Sequence, residues 1–236
     1  MTVQKHDYAP GVHDSYPVAP GNLPMVDVRV GCTIRRGENT FIGGSPEVTA
    51  KLVHSIIFRS LVQSGGCVLW IDGGNSFDPY EISELAGRCG YDARDLLSRI
   101  RIARAFTAHQ MEAISRSAAH EAAGCSISAV AVTSVAELFT GDVKWKEGVD
   151  LLRSTVRNIT AITENYRTIT VMTSCVQVSS SAEMESIISG NCARVVNVGM
   201  EYDDLTVESD GVVMTVNRWD GSRHQRSLLE FMDRGK

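Results

Sequence analysis

CVLWIDGGNSF, at residues 67–77, reads as a buried parallel strand that opens onto a glycine-containing loop. About thirty residues later the chain reads RIARAFTAHQM at 101–111, where an apolar run from Ile100 to Ala105 predicts a second strand. Thr107 can cap a helix that continues through Met111, Ile114 and Ala118. The order is strand, helix, strand, helix, which is the commonest α/β arrangement and names no function by itself.

Composition sets the limits on the kind of protein. With 236 residues, 43% hydrophobic and 22% charged, the chain fits one soluble α/β domain. No apolar run reaches the roughly 18 residues of a membrane helix, and the polar start argues against a secretory signal, so we expect a cytoplasmic protein without membrane contact. The six cysteines are scattered, which predicts small buried apolar groups rather than a zinc site or a disulfide framework. A net charge of −5 argues against a chain that is basic throughout, but allows a local basic groove.

A tail followed by one core domain is predicted along the chain. Residues 1–24 hold four of the six prolines and read as a tail or linker, whereas residues 25–236 read as one core domain. Within the core, alternation and helical spacing predict the following elements: a strand region from Val26 to Ile42 with a turn at 35–38, a helix at 47–63, a strand at 127–132, a long helix through 149–159 and a strand at 168–172.

The last quarter of the chain has a different sequence pattern. Residues 176–190 contain three consecutive serines and no clear period before Ile187, which predicts a mobile loop. Short strands are predicted at 195–198, 205–207, 212–217 and 225–231, and Asp-Gly turns at 210–211 and 220–221 separate the later ones. We expect these strands to form an antiparallel meander at one edge of the sheet.

The segments IDGGNSF and ARAFTAHQM resemble the core of RecA/RadA-type recombinases, in particular the archaeal and eukaryotic strand-exchange branch. The resemblance is fairly specific over 67–114 and extends more weakly over 25–231. It implies a RecA-like P-loop NTPase core, with a mostly parallel sheet flanked by helices and an antiparallel C-terminal meander. It also implies that the family's N-terminal helical DNA-binding domain is missing from this chain.

A phosphate-binding loop is expected after the first strand, at Gly43 to Lys51. A working loop reads G-x-x-x-x-G-K-[ST], because amides cradle the phosphates, the lysine reaches the β and γ oxygens, and the hydroxyl holds Mg²⁺. In the register that starts at Gly43, Val48 replaces the second glycine, Thr49 the lysine and Ala50 the hydroxyl residue. The degenerate positions of this loop are Gly43, Gly44, Ser45, Val48, Thr49 and Ala50. In the other register, with Lys51 as the lysine, Ala50 replaces the second glycine, and Pro46 within the loop lacks an amide donor. Both registers fail.

Three further positions depart from the pattern that the resemblance implies. Gly74 stands where the family carries the glutamate that activates water, Thr133 where an aspartate organises Mg²⁺, and Cys175 where a glutamine senses the γ-phosphate. Phosphoryl transfer depends on such positioned groups, and each loss typically costs about 10²–10³ in rate. We therefore expect a degenerate ATPase with no catalytic residue, no metal and no cofactor, unless the atypical loop still binds ATP and Mg²⁺. Asp72 is then interpreted as a loop-bonding or capping residue, and His109 and Gln110 as structural residues of a helix first turn.

Nucleic-acid contact is expected to be weak. The resemblance implies that DNA lies against two loops, here near 141–146 and 176–190. The first offers Lys144, Trp145 and Lys146, two cations around an aromatic ring that can stack on single-stranded DNA. The second has no Lys or Arg and carries Glu183 and Glu185, which disfavours phosphate. The C-terminal strands add a modest cationic edge with Arg218, Arg223, His224 and Arg226.

A docking motif is predicted in the tail. Recombinases that this chain resembles polymerise through Phe-x-x-Ala, which adds a strand to a neighbouring core. Tyr16-Pro17-Val18-Ala19 has that spacing, so Tyr16 and Ala19 are predicted to dock on another RecA-like core, either a recombinase or a second copy of this chain.

Three functions remain open from the sequence. The first is a non-catalytic RecA/RadA-like paralogue that acts as a binding or accessory protein in DNA recombination or repair. The second is a nucleotide-binding ATPase whose atypical loop uses Ser45, Thr49 and backbone amides. The third is a scaffold subunit of an unrelated assembly.

Overall fold

Alternating strands and helices make up most of the chain in the computed structural model, which describes residues 34–141, 143–174, 179–201, 204–209 and 211–216. The strands are β1 (Asn39–Gly44), β2 (Cys67–Asp72), β3 (Ile100–Arg104), β4 (Ile127–Thr133), β5 (Ile169–Ser174), β6 (Arg194–Glu201), β7 (Asp204–Ser209) and β8 (Val212–Val216). The helices are α1 (Pro46–Ser64), α2 (Pro79–Cys89), α3 (Ala93–Ser98), α4 (Ala108–Gly124), α5 (Trp145–Tyr166) and α6 (Ser179–Ser189), with a 3₁₀ turn at Glu137–Phe139.

The strands form one eight-stranded sheet in the order β3-β2-β4-β5-β1-β6-β7-β8. Strands β1 to β6 pair in parallel, whereas β7 and β8 continue the sheet antiparallel. This confirms the predicted fold class of a mostly parallel sheet, flanked by helices, with an antiparallel meander at its C-terminal edge. The carboxyl ends of β1, β2, β4 and β5 lie along one edge, where open α/β sheets place their ligands.

Two helical layers cover the sheet, and β2 shows how the sequence divides between them. Val68 and Trp70 pack with α1, α2 and α3 on one face, whereas Leu69 and Ile71 pack with α4 and α5 on the other. Alternate residues of a strand point to opposite faces, so an uninterrupted apolar run is needed when both faces are buried. This is the reason that the CVLWI segment has no polar alternation.

Several predicted elements are confirmed. The helix predicted at 47–63 is α1, and the Thr107 side chain accepts a hydrogen bond from the N–H of Gln110 at 3.2 Å as the cap of α4. Gly37 adopts φ +80° in the predicted turn at 35–38, a conformation that glycine reaches without steric cost.

One prediction is wrong. Residues 179–189 of the predicted mobile loop form helix α6, because Met184 and Ile188, four residues apart, are both fully buried in the core beneath α4 and α5. The strand predicted at 225–231, the cationic edge at 218–226 and the tail at 1–24 lie outside the described residues. No helix in the described part of the chain is long and apolar enough to cross a membrane.

Candidate functional site

The turn between β1 and α1 is a single residue long. Gly43 and Gly44 belong to β1 and pair with Asn197 and Val198 of β6, and the helix begins at Pro46. Ser45 alone connects the two elements, with extended backbone and no side-chain cap. A P-loop needs several residues between strand and helix to wrap around a phosphate. The predicted loop is therefore taken up by the end of a strand and the first turn of a helix.

Gly44 has a packing role at this turn. Its φ is +144°, and a Cβ at this position would collide with the carbonyl oxygen of Val198 and lie 2.7 Å from its Cγ2. Only glycine allows β1 to approach β6 so closely. A glycine of the expected phosphate loop thus serves strand pairing.

The remaining loop positions lie in α1. Val48 and Thr49 are 1% and 2% exposed, and Ala50 is half-buried. The Thr49 hydroxyl donates to the carbonyl oxygen of Ser45 at 3.0 Å, which is a bond within its own helix. Lys51 reaches Glu47 one turn earlier, at 3.2 Å. None of these four side chains is placed as a phosphate ligand would be.

Asp72, at the carboxyl end of β2, is buried and bonded from several directions. Its Oδ1 accepts from the N–H of Ser76 at 2.9 Å and from the hydroxyl of Thr133 at 3.0 Å, while Oδ2 accepts from the N–H of Phe77 at 3.2 Å. Burial alone would raise the pKa of Asp72, but the hydrogen bonds from Ser76, Phe77 and Thr133 outweigh it and lower the pKa. The interpretation of Asp72 as a loop-bonding residue is confirmed.

Thr133 and Ser76 complete this network. The Ser76 hydroxyl donates to Thr133 Oγ1 at 2.8 Å, and Thr133 is 2% exposed at the end of β4. Arg104 lies 3.7 Å from Asp72 Oδ2 through its Nε. The position where the resemblance implies a magnesium aspartate is therefore occupied by a neutral hydroxyl that is already bonded within the protein.

Gly74 has no room for a side chain. A Cβ at this position would collide with the hydroxyl oxygen of Ser134 and lie 2.7 Å from its Cβ. Ser134 itself adopts a left-handed conformation with φ +53°, which sets its side chain against the loop after β2. A glutamate at residue 74 would require Ser134 to move.

Acidic groups gather at the end of β5. The Ser174 hydroxyl donates to Oε1 of Glu137 at 3.2 Å. Burial raises the pKa of Glu185 and the nearby charge of Glu137 raises it further, against a lowering hydrogen bond from Ser174. Negative charge at this edge disfavours a phosphate ligand. Cys175, the predicted γ-phosphate position, lies outside the described residues.

His54 supports the β2 loop from α1, and sequence reasoning missed it. Its ring is 2% exposed and lies 4.7 Å from the ring of Trp70 and 5.8 Å from that of Phe77, centroid to centroid. Burial lowers the pKa of His54, against smaller raising effects from its bond to Ala50 and from Glu81, Asp78 and Asp72. The signal in the sequence is a histidine within the apolar stripe of α1, although the pattern does not reveal its partners.

The predicted DNA-contact residues lie at the start of α5. Lys144 is its N-cap residue and Trp145 and Lys146 begin the helix; all three are exposed, with Trp145 at 43%. The His109 ring lies 3.3 Å from Glu147, which connects α4 to α5 at this end. The Gln110 side chain accepts from the N–H of Phe106 at 2.8 Å, which confirms its structural role in the first turn of α4.

A groove of about 410 Å³ runs along β3, a strand at one end of the sheet order. Ile102 is 43% exposed there, and an ion pair between Arg101 and Glu121 spans β3 and α4. The lining residues include Leu69, Ile102, Ala103, Ile114, Ala118 and Glu121. Edge strands with exposed apolar side chains are sites where another extended chain can pair. Tyr16 and Ala19, the predicted docking residues, lie outside the described residues.

Comparison with known families gives a match over most of the described chain. The family model named Rad51 matches residues 40–198, which run from β1 into β6 and include every described position of the degenerate site. Among curated proteins no match was found.

Proposed function

The chain belongs to the Rad51 family of RecA-like recombination and repair proteins, and from that premise we propose that it acts by binding rather than by hydrolysing ATP. The observation that carries this proposal is the one-residue turn at Ser45 between β1 and α1. Without a loop, the amides that would surround the β and γ phosphates belong to a strand and a helix. The family fold is retained and the phosphate cradle is replaced by ordinary packing.

The residues at and just after the carboxyl end of β2 support the same proposal. Mg²⁺ requires oxygen ligands that are free to coordinate, usually carboxylates together with phosphates. The Asp72 carboxylate instead accepts hydrogen bonds from Ser76, Phe77 and Thr133. There is no room for a carboxylate side chain at residue 74. A nucleotide held by the atypical loop would need the Thr49 hydroxyl, which bonds to Ser45 and Pro46. Pro46 also has no N–H to offer.

The β3 groove is the proposed contact surface. We assign as its occupant an extended linker segment from a second Rad51-family chain. In that segment an aromatic residue and an alanine have the same spacing as Tyr16 and Ala19 in this chain. Such a segment would pair with the backbone of β3 and place apolar side chains against Ile102, Ile114 and Ala118. The interaction places this protein beside a recombinase or a second copy of itself, as an accessory protein in recombination or repair.

Sedimentation velocity and pull-down of the full chain test this contact. We expect Tyr16→Ala, Ala19→Glu, a chain that starts at Met25, and Ile102→Glu in the groove each to reduce association. Val213, on β8, is 64% exposed, so Val213→Glu is the matched control for adding a charge to an exposed apolar strand residue. Association unchanged in all four variants would rule out the groove and the tail as the contact.

A further inference from the structure

Cys67 and Cys125 lie where two neighbouring chain segments run in close contact. Cys67 begins β2, and Cys125 follows the last residue of α4 with extended backbone. The N–H of Cys67 donates to the carbonyl oxygen of Ser126 at 2.8 Å, and a Cβ on Gly66 would lie 2.7 Å from the same oxygen. The residues on either side of this contact are therefore held together by the backbone.

The two thiols also share a face of the sheet. Because side chains alternate along a strand, Cys67 points to the same face as Leu69 and Ile71. Those two residues belong to the apolar cluster beneath α4 and α5, against which Cys125 packs. The thiol of Cys125 donates to the carbonyl oxygen of Glu121 at 3.6 Å, and the thiol of Cys67 lies near enough to raise the pKa of Cys125.

The electrostatic surroundings of Cys125 differ from those of Cys192, although both side chains are half-buried. Cys67 and Cys125 are both half-buried, so a small reagent can reach them. Burial and the neighbouring Cys67 raise the pKa of Cys125, while the guanidinium of Arg101 acts in the opposite direction. Burial alone raises the pKa of Cys192 to about 12. Thiolate is the reactive form, so oxidation of this pair is expected to accelerate at mildly alkaline pH.

We propose that Cys67 and Cys125 form a reversible disulfide, with a small-molecule disulfide such as oxidised glutathione as the oxidant. One thiolate attacks a sulfur of the oxidant, forms a mixed disulfide and releases one small thiol. The other thiolate then attacks the mixed disulfide, closes the Cys67–Cys125 bond and releases the second small thiol. The protein loses two electrons and two protons, and the oxidant is reduced to two thiols.

The bond links the end of α4 to the start of β2, two points far apart in the chain. Such a link restricts the unfolded chain more than the folded one, so the oxidised protein is expected to melt at a higher temperature. The expected shift is on the order of 5–10 °C, and a reducing agent should reverse it.

The experiment uses the full chain, reduced and then exposed under native conditions to oxidised glutathione at about pH 8. Free thiols are blocked with a maleimide, and the chain is digested and examined by mass spectrometry. We expect a peptide pair joined through Cys67 and Cys125, two hydrogen atoms lighter than the reduced pair. Cys67→Ser should abolish the cross-link and leave Cys125 as a glutathione mixed disulfide.

Cys89 is also half-buried and provides the matched control, because Cys89→Ser should leave the cross-link unchanged. The wild-type digest decides the question even if a serine variant folds poorly. Recovery of both cysteines with maleimide attached, recovery of both only as mixed disulfides, or bonding of either one to Cys32 or Cys175 would overturn the proposal.

Discussion

The backbone N–H of Asp78 donates a hydrogen bond to Nε2 of His54 at 2.9 Å. Because Nε2 accepts, the ring proton must lie on Nδ1, which is 2.7 Å from the carbonyl oxygen of Ala50. A neutral histidine thus joins α1 to the segment that leads from β2 into α2, and Asp78 in turn caps α2 through Tyr80. Protonation of Nε2 would remove the acceptor and break the link.

The first prediction is a pH dependence of stability that originates at His54. Its pKa is lowered in the folded protein from an ordinary 6.5, so below that pH the unfolded chain binds a proton that the folded chain does not. The contribution to stability is complete above 6.5 and is lost as the pH falls toward the lowered value. Urea unfolding at stepped pH measures it.

Two variants test whether the pH dependence of stability originates at His54. His54→Gln should lower the free energy of unfolding by about 1–3 kcal/mol near neutral pH, because the hydrogen bond from the Asp78 N–H and the buried ring contacts are lost. The same variant should flatten the pH dependence of stability. His109 is 61% exposed, so His109→Gln should leave the slope in place. A slope unchanged in His54→Gln and lost in His109→Gln would contradict the assignment.

The second prediction concerns the Asp72 network. Asp72→Asn should destabilise the protein by about 2–3 kcal/mol. The carboxylate now accepts hydrogen bonds from N–H groups, and the NH₂ group of an asparagine cannot accept them. Asp92 is a capping aspartate whose exposed side chain accepts from the N–H of Arg94, and Asp92→Ala should cost about 1 kcal/mol. Chemical denaturation measures the free energy of unfolding of both variants. Equal losses would show that Asp72 is no more than a cap.

Asp72 also predicts an acid limit. Because its pKa is lowered from 3.8 by the hydrogen bonds, its stabilising contribution is present above that pH and lost as the pH falls below it. Asp72→Asn should remove this part of the acid transition and leave the higher-pH step from His54 in place.

A third prediction is that the family glutamate cannot simply be restored. Gly74→Glu should destabilise the protein by about 1–3 kcal/mol, because its Cβ would collide with Ser134, and should not produce ATP hydrolysis. Gly87 has open space around its Cβ position in α2, so Gly87→Glu should be neutral or stabilising. Thermal melting of both variants makes the comparison. A Gly74→Glu protein as stable as the wild type would show that the loop after β2 gives way easily.

The fourth prediction is weak, salt-dependent binding of single-stranded DNA at the start of α5. Reversing both lysines with Lys144→Glu and Lys146→Glu should abolish binding at low salt, since phosphate contacts supply most non-specific affinity. Trp145→Ala should reduce it by about 1–3 kcal/mol if a base stacks on the ring. Fluorescence anisotropy across a salt series gives both values.

Arg153 and Arg157 are exposed further along α5 and provide the matched charge control. Reversal of these two arginines should leave DNA binding largely intact. If both double variants lose binding equally, the effect comes from overall charge and not from the start of the helix.

The sequence predicted the parallel core because its strands are continuous apolar runs, and it predicted the start of α4 because Thr107 has a local capping role. Helix α6 was missed because its serines obscured the four-residue spacing of Met184 and Ile188. The apolar groove was missed because it depends on β3 lying at the edge of the sheet, which is a property of strand order. The bonds of His54 to Asp78 and of Asp72 to Thr133 join residues distant in the chain, so no local pattern specifies them.

The claim that the one-residue turn at Ser45 prevents ATP hydrolysis is tested most directly by an assay of Mg²⁺-dependent ATP hydrolysis. The assay uses the purified full chain, with and without single-stranded DNA. The expected result is no turnover above background, because the chain between Gly44 and Pro46 leaves no loop to hold the phosphates. The proposal that this Rad51-family protein acts by binding alone would be contradicted by ATP hydrolysis that scales with protein concentration and survives repurification. The rate of that hydrolysis would also have to change in the Thr49→Val variant.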